Sequence, residues 1–530
     1  MFSSWDMPQW LLRLSLINTP GSQTSLGGEN AVQSLVGTTS CCDALSQTFG
    51  HSVLLPKTDN YTQSTDAYWS LKNVEVHPSC IFQPADAAAV SAGVKILAAG
   101  DEKWPGQCQF AIKSGGHTPF KGAATIEQSV VIDLSKLPSA GLSEDNRTIT
   151  VSPARKWDDL YEELDPLGLT VIGGRVAGVG VGGLVLGCGI SYLSARYGFA
   201  CDHVENFQAV LSTGDIVNAN QFENADLWKS LRGGSNNLAV VTAITLKTHA
   251  QGSFWGGQTY HAIEERGEIF GALEDLIHDY DPYAHFITTL IIEGTMRNWF
   301  IGNGYHYTKS DPPIPLADEP TPFQNLLSIK RTPVFPGTPD NTLRIGNLTN
   351  YSREYAALLS ARKRWTFASI SFGNSAQMME EFFQMTHAAV KPFLGMETFQ
   401  LSLSYQPMPT MITERSGAVD MLGPIQTQGN MFNVHFALGL GDEEADRDPV
   451  IDHAIRQLFA AAEARAAELK VQRDFIPLTY ADHWQDPIGR RSEFTVAELR
   501  STARKYDPGA MFQRQVPGGF KLPAKGVPFV

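Results

Sequence analysis

Lys113-Ser114-Gly115-Gly116-His117 is the stretch on which the reading of the fold turns. It follows the apolar run Phe110-Ala111-Ile112 and precedes a second one, Val130-Val131-Ile132-Asp133-Leu134. Paired glycines after a strand let backbone N–H groups approach a phosphate closely, because no Cβ stands in the way. A histidine set beside such a turn is held against whatever the turn binds. Taken alone, the motif fits equally well a plain strand turn with an incidental surface histidine, since short glycine patterns recur by chance.

A second cluster shifts that balance. Residues 173–191 hold eight glycines in nineteen positions, against an ordinary usage of roughly 7%. Small apolar residues fill the gaps and Ser, Pro and Gln are not enriched, so the stretch is no flexible linker. It reads as a buried loop system on which a ligand lies closely. A third signal, Arg232-Gly233-Gly234-Ser235-Asn236-Asn237, runs into the strand-like segment 238–246.

In this order, Ser114-Gly115-Gly116-His117, then Gly178-Val179-Gly180-Val181-Gly182-Gly183, then Arg232-Gly233-Gly234 and Val240-Val241-Thr242, the chain resembles the FAD-linked oxidases of the berberine bridge enzyme-like group, with a PCMH-type FAD-binding domain of the vanillyl-alcohol oxidase superfamily. The tail agrees: Tyr480-Ala481-Asp482-His483-Trp484-Gln485, Lys505-Tyr506-Asp507-Pro508 and Pro517-Gly518-Gly519-Phe520-Lys521 resemble that family's closing segment. The likeness is strong over 40–250, good over 470–522 and weak between.

Composition is compatible. The 530 residues suggest two to four domains. A hydrophobic share of 43% and a charged share of 18% suit a globular chain with a large core. A formal net charge of −14 argues against nucleic acid and anionic membrane as partners. No apolar run is long enough for a transmembrane helix. The six cysteines, Cys41, Cys42, Cys80, Cys108, Cys188 and Cys201, show no paired zinc spacing. The resemblance implies a bridge from Cys41 or Cys42 to Cys80, which needs an oxidising compartment. Sequons begin at Asn60, Asn146, Asn347 and Asn350, as in a glycoprotein. Trp10-Leu11-Leu12-Arg13-Leu14-Ser15-Leu16-Ile17 makes a poor signal peptide, being short and interrupted. The reading leans to the secretory pathway or the extracellular space.

Patterning divides the chain into an extension over 1–40, an FAD-binding domain over 41–250, a substrate domain over 251–469 and a return to the FAD-binding domain over 470–530. Pro84-Ala85-Asp86 opens an amphipathic helix with Val90, Val94 and Leu97 on one face. Residues 207–217 read as a hairpin, and 286–292, 298–302 and 431–438 as strands. Asp448-Pro449 starts a helix with Ile451, Ile455, Leu458 and Ala462 inward. The class is α+β: a split FAD domain with an inserted antiparallel sheet plus helices.

The resemblance also implies roles. His117 carries the flavin covalently on its 8α carbon. Many relatives add a second bond through a cysteine; here Val176 stands in its place, so attachment through His117 alone is expected. Cys188, where the family usually has glycine, reads as a small buried residue. Lys113, Ser114, Gly115 and Gly116 cradle the pyrophosphate; Gly180, Gly182 and Gly183 lie against the ribityl chain and ring, with Gly187, Ser191 and Val241 completing the cofactor set. Val179 leaves room for O₂ at the flavin edge. Oxidising a carbon requires a base for its proton. In the tail, Pro477 and Thr479 replace the family's tyrosine and asparagine, leaving Tyr480 as base or as a hydroxyl that positions the ring; Asp420 is the second candidate. His203 and His435 read as core or supporting histidines. The implied activity is oxidation of a small secondary-metabolite intermediate by a monomeric enzyme, with hydride passing to FAD and O₂ restoring it. A carbohydrate oxidase and a non-redox isomerase or cyclase remain as alternatives.

Overall fold

The computed structural model describes residues 39–294, 296, 298–312, 319–359, 361–416, 421–423 and 425–523. Asp420, residues 10–17 and nearly all of the 1–40 extension lie outside them. The described chain is mixed α and β, built on three sheets.

The first sheet has four strands in the order Val53–Leu54, Cys80–Phe82, Val130–Asp133, Phe110–Lys113. Its last three strands run parallel, so their connections must cross over. Helix Ala87–Lys103 makes one crossing; Asp86 caps it by accepting from the Ala89 N–H at 2.8 Å, and Val90, Val94, Ile96 and Leu97 are buried. The second sheet orders Gly141–Leu142, Thr148–Val151, Val240–Ala250, Val204–Val210 and Ile216–Asn220, with Leu169–Val171 also on Val240–Ala250. Its hairpin occupies the place that Ser212-Thr213-Gly214-Asp215 foretells.

The third sheet is antiparallel throughout its eight strands, in the order Arg344–Gly346, Phe254–Ala262, Phe300–Tyr307, Ala284–Glu293, Gln400–Met408, Met431–Leu440, Arg364–Gly373, Gln472–Arg473. Helices Arg266–Leu276, Ala376–Val390 and Asp448–Glu468 pack on one face. Side chains alternate across a strand, so Leu401, Leu403 and Tyr405 enter the helix-covered core while Ser402, Ser404 and Gln406 point the other way. The same alternation sends Phe286 and Leu290 into the core and Ile287, Thr289 and Ile291 to the opposite face. That second face is not solvent; it is a wall of the cavity described below. Phe382 and Phe459, 5.6 Å apart and edge-on, join two of the helices, and truncating either to Ala would cost about 3–5 kcal/mol.

The tail stitches these parts together. Gln472–Arg473 edges the third sheet, and helix Glu493–Tyr506 docks on Ala225–Leu231 through Lys229–Glu498 and Lys505–Asp226. Met511, Phe512 and Val516 then enter the core of the first sheet. Three disulfides join Cys41 to Cys108, Cys42 to Cys80 and Cys188 to Cys201. Of the two partners open for Cys80, Cys42 takes it. Gly100 lies where a Cβ would come within 2.2 Å of the Cys41 sulfur, so the bridge needs glycine there. Cys188 is buried as expected, but in a bridge that the sequence pattern did not signal; its φ of +53° is the left-handed conformation that glycine adopts freely. No described helix is long and apolar enough to cross a membrane.

Candidate active site

The two glycine loops meet backbone to backbone. A Cβ on Gly115 would lie 2.5 Å from the Gly180 Cα, and one on Gly180 would lie 2.5 Å from the Gly115 Cα. Neither neighbour is a side chain that could swing away, so both positions require glycine. Gly116 has a φ of +66° and shares the turn. The crossing forms the floor of a cavity of about 280 Å³ that runs from these loops to the polar-striped face of the third sheet. Ser114, Gly115, Gly116, His117, Val176, Val179, Gly180, Gly182, Gly183, Val241 and Tyr480 all line it.

Other expectations need correction. Lys113 turns away from the cavity. Its ammonium is buried, donates to the Ser64 carbonyl at 2.6 Å and pairs with Asp133 at 3.3 Å. Burial works against the Asp133 carboxylate, but Lys113, Ser64, Gln83 and the Ser135 N–H together hold it below the ordinary range. Lys113 is a structural ion-pair member, not a phosphate ligand. Gly187 packs against Thr479, and Ser191 lines a separate crevice beside Tyr280. The 173–191 stretch is also not loop throughout, since Val181–Leu186 is helical. Its glycines serve different ends. Gly173 and Gly174 make room for Trp157, and Gly189 for Leu184, while Gly180, Gly182 and Gly183 face the cavity.

An aromatic wall links His117 to Tyr480. The His117 ring stacks on Trp69 at 4.4 Å, Trp69 meets Phe367 at 5.5 Å, Phe367 meets His435 edge-on at 4.5 Å, and His435 stacks on Tyr480 at 4.4 Å. His435 is therefore a cavity residue rather than a satisfied core histidine, and its buried Nε2 has no hydrogen-bond partner. Burial, with Lys156 nearby, pushes the His117 imidazole down to about 3. Burial and the charge of Arg175 do the same to His435, again to about 3. Both rings are neutral at physiological pH. His203 is a supporting residue, bonded to the Tyr197 carbonyl and to His249.

Tyr480 is fixed from two sides. Gln485 clamps the tail to strand Arg364–Gly373, accepting from the Ser369 N–H at 3.0 Å and donating to its carbonyl at 2.7 Å. Arg175 donates to the Tyr480 hydroxyl oxygen, to Gln406 Oε1 at 2.6 Å and to His285 Nε2 at 2.9 Å. Sequence reasoning missed Arg175. The signal was a lone charge in a run of glycines and small apolar residues, and the side chain is 8% exposed.

These features fit a flavin dinucleotide. A backbone-only crossing leaves space beside it, Gly183 would carry a Cβ into open volume, and the imidazole of His117 stands unprotonated at the edge of that volume. A family model described as an FAD binding domain matches residues 78–220. The chain is 52% identical to the FAD-dependent monooxygenase CTB5 of Cercospora beticola, over 96% of each chain. Among solved structures, 6-hydroxy-D-nicotine oxidase from Arthrobacter nicotinovorans superposes with a TM-score of 0.70 at 19% identity, covering 89% of this chain and 97% of that one. BBE-like 1 of Physcomitrella patens gives a TM-score of 0.69 at 15% identity, covering 91% and 100%.

Proposed function

Because this chain belongs to the FAD-linked oxidoreductases of the berberine bridge enzyme-like group, we propose that it oxidises a small organic molecule, an intermediate of secondary metabolism, with O₂ as the final electron acceptor. The observation that carries the reading is one cavity bounded by the Gly115–Gly180 crossing, His117 and the Arg175–Tyr480–His435 cluster. The FAD-binding unit spans 41–250 and 470–530, and the substrate unit 251–469. When bound, the flavin supplies a two-electron acceptor for the substrate carbon and passes the electrons to O₂.

The chain's own residues do the rest. The turn at 114–116 and the segment 179–183, which runs into helix Val181–Leu186, hold the cofactor, and His117 tethers it. Val176, an aliphatic side chain, offers no sulfur for a second bond. Val179 leaves a small-residue opening at the cavity edge for O₂. Ile287, Ile291, Leu358 and Phe367 exclude water from the substrate, while Ser402, Ser404 and Gln406 orient its polar groups. Tyr480, whose oxygen Arg175 holds in place, takes the substrate proton. Three disulfides suit an oxidising compartment.

The test is spectroscopic. The purified protein should be yellow, bleach with substrate in the absence of air, and consume O₂ on readmission. A colourless preparation that turns substrate over would replace oxidation by isomerisation or cyclisation. A second reading follows from the name of the Cercospora relative, which specifies a monooxygenase. Under ¹⁸O₂, label in H₂O₂ alone supports the oxidase, and label in the organic product supports oxygen insertion.

A further inference from the structure

Arg175 lines the cavity as a buried cation that no described carboxylate pairs with. Its partners are the His285 imidazole, the Gln406 carboxamide and the Tyr480 oxygen. Among the described residues no carboxylate pairs with it, and no other Lys, Arg, Asp or Glu lines the cavity. The two imidazoles in the wall, His117 and His435, are neutral as well. Elsewhere in the chain, buried cations are compensated: Lys113 has Asp133, Arg232 has Asp202, and Arg364 has Asp448 and Glu75. Three hydrogen bonds orient the guanidinium, yet none of them comes from a carboxylate, in a cavity whose other lining side chains carry no acid. A buried charge is kept where something pairs with it.

We propose that Arg175 is an anion subsite for the substrate: the molecule this cavity accepts carries an ionised oxygen, a carboxylate or the oxygen of an acidic phenol or enol, which docks on the guanidinium. This rests on the proposed function above and narrows its substrate class. The polar stripe Ser402–Ser404–Gln406 flanks the subsite along one strand face, and His435, whose Nε2 has no partner, stacks on Tyr480. An oxyanion on Arg175 thus lies beside the residue that takes the proton, which places the carbon to be oxidised near the acidic oxygen. Neutral sugars lack the complementary charge.

Calorimetric titration of the holoenzyme with benzoate and 4-nitrophenol, and with their methylated counterparts methyl benzoate and 4-nitroanisole, tests this at a pH where both acids are ionised. At least one acid should bind about tenfold or more tightly than its methylated partner, and which one it is distinguishes a carboxylate subsite from a phenolate subsite. Arg175→Gln should abolish the preference and Arg175→Lys should restore part of it. If Arg175→Gln does not fold, Ser404→Glu, which supplies the missing negative charge from the same wall, should abolish the preference instead. Equal binding of acids and methylated partners to the wild type, or a preference that survives Arg175→Gln or Ser404→Glu, overturns the proposal. Flavin content is read separately. Anion preference in a colourless protein removes the redox reading and keeps the subsite, whereas a yellow protein without preference removes the subsite alone.

Discussion

Gly180 caps helix Val181–Leu186 and Gly183 lies within it, and adding a single methyl group at each should have opposite effects. At Gly180 a Cβ would meet the Cα and N of Gly115 at 2.5 and 2.7 Å, both backbone atoms. Relief requires moving one glycine loop off the other. Overpacking of this kind costs about 1–3 kcal/mol, and here no side chain can rotate aside to lower it. At Gly183 a Cβ would meet nothing within 4 Å, and the residue lies in helix Val181–Leu186. Alanine is the better helix former by about 0.5–1 kcal/mol, so Gly183→Ala should leave the flavin-free fold as stable or slightly more so. The new methyl group would stand in the volume assigned to the flavin. The same overpacking, about 1–3 kcal/mol, then appears as roughly 5- to 150-fold weaker FAD binding. The assay is urea unfolding of the flavin-free protein together with FAD titration. Both are done in a His117→Ala background so that no tether masks a weakened fit. Gly180→Ala should lose stability, and Gly183→Ala should lose FAD affinity while keeping stability. If Gly183→Ala binds FAD like its parent, the cradle has been placed on the wrong wall. If Gly180→Ala unfolds at the parent's urea concentration, the loop crossing is looser than its geometry.

Other consequences are sharp enough to measure. Tyr480→Phe should lower the rate of flavin bleaching by about 10²–10⁴-fold with flavin content unchanged, as removal of a positioned base does; an unchanged rate in stopped flow assigns the hydroxyl to positioning alone. Acid-precipitated wild type should keep its yellow colour in the pellet, and His117→Ala should release it to the supernatant. Replacing Cys188 and Cys201 together by Ser should cost about 3 kcal/mol in urea unfolding, given a loop with a sequence separation of 13. His306 is 1% exposed, and burial with the charges of Arg175 and Arg344 lowers its imidazole to about 3. Its folded value lies below the unfolded one, so the native state takes up the proton less readily. Stability should therefore fall as pH drops from about 6.5 towards 3. His306→Gln should flatten that limb in pH-dependent urea midpoints, and an unaltered slope would assign the acid sensitivity to other groups.

Much of the first two sheets was legible because their signals are local. Pro84-Ala85-Asp86 caps its helix through the Asp86 side chain, and Ser212-Thr213-Gly214-Asp215 turns its hairpin. The third sheet was legible as strands but not as a site. Strand Gln400–Met408 is buried on both faces, so polarity alternates along it without exposure, and nothing local says that Ser402, Ser404 and Gln406 look into a cavity. Lys113 misled for a related reason. A lysine beside a glycine turn suggests a phosphate, but the competing partner, Asp133, lies on the parallel neighbour Val130–Asp133 and is recognisable only once the register is known. Asn347 and Asn350 match the glycosylation pattern, yet each side chain accepts from the other's backbone N–H to cap helix Leu348–Ala357.

The tail departs from its family at Pro477 and Thr479, and the structure gives those departures a context. Pro477 contributes its carbonyl to the turn that presents Tyr480, accepting the Tyr480 N–H at 3.0 Å. Thr479 lays its methyl group near the Gly187 position, where a Cβ would come within 2.9 Å of it, so the tail seats directly on the glycine-rich segment. Tyr480 thereby reaches a guanidinium that the same segment supplies from its start, at Arg175. The polar centre draws on three stretches: the glycine segment gives Arg175, the inserted sheet gives His285, Gln406 and His435, and the tail gives Tyr480. None of these is a motif by itself. Pro477 and Thr479 stand where the resemblance implies a tyrosine and an asparagine, and Arg175, itself bonded to Gln406, holds the Tyr480 hydroxyl. Gln406→Leu should therefore act through Arg175. It frees one guanidinium donor, loosens the hydroxyl that Arg175 holds, and should lower turnover more than it lowers substrate affinity. If Gln406→Leu instead raises KM alone, Gln406 is a substrate ligand and the orientation of Tyr480 rests on Arg175 without it.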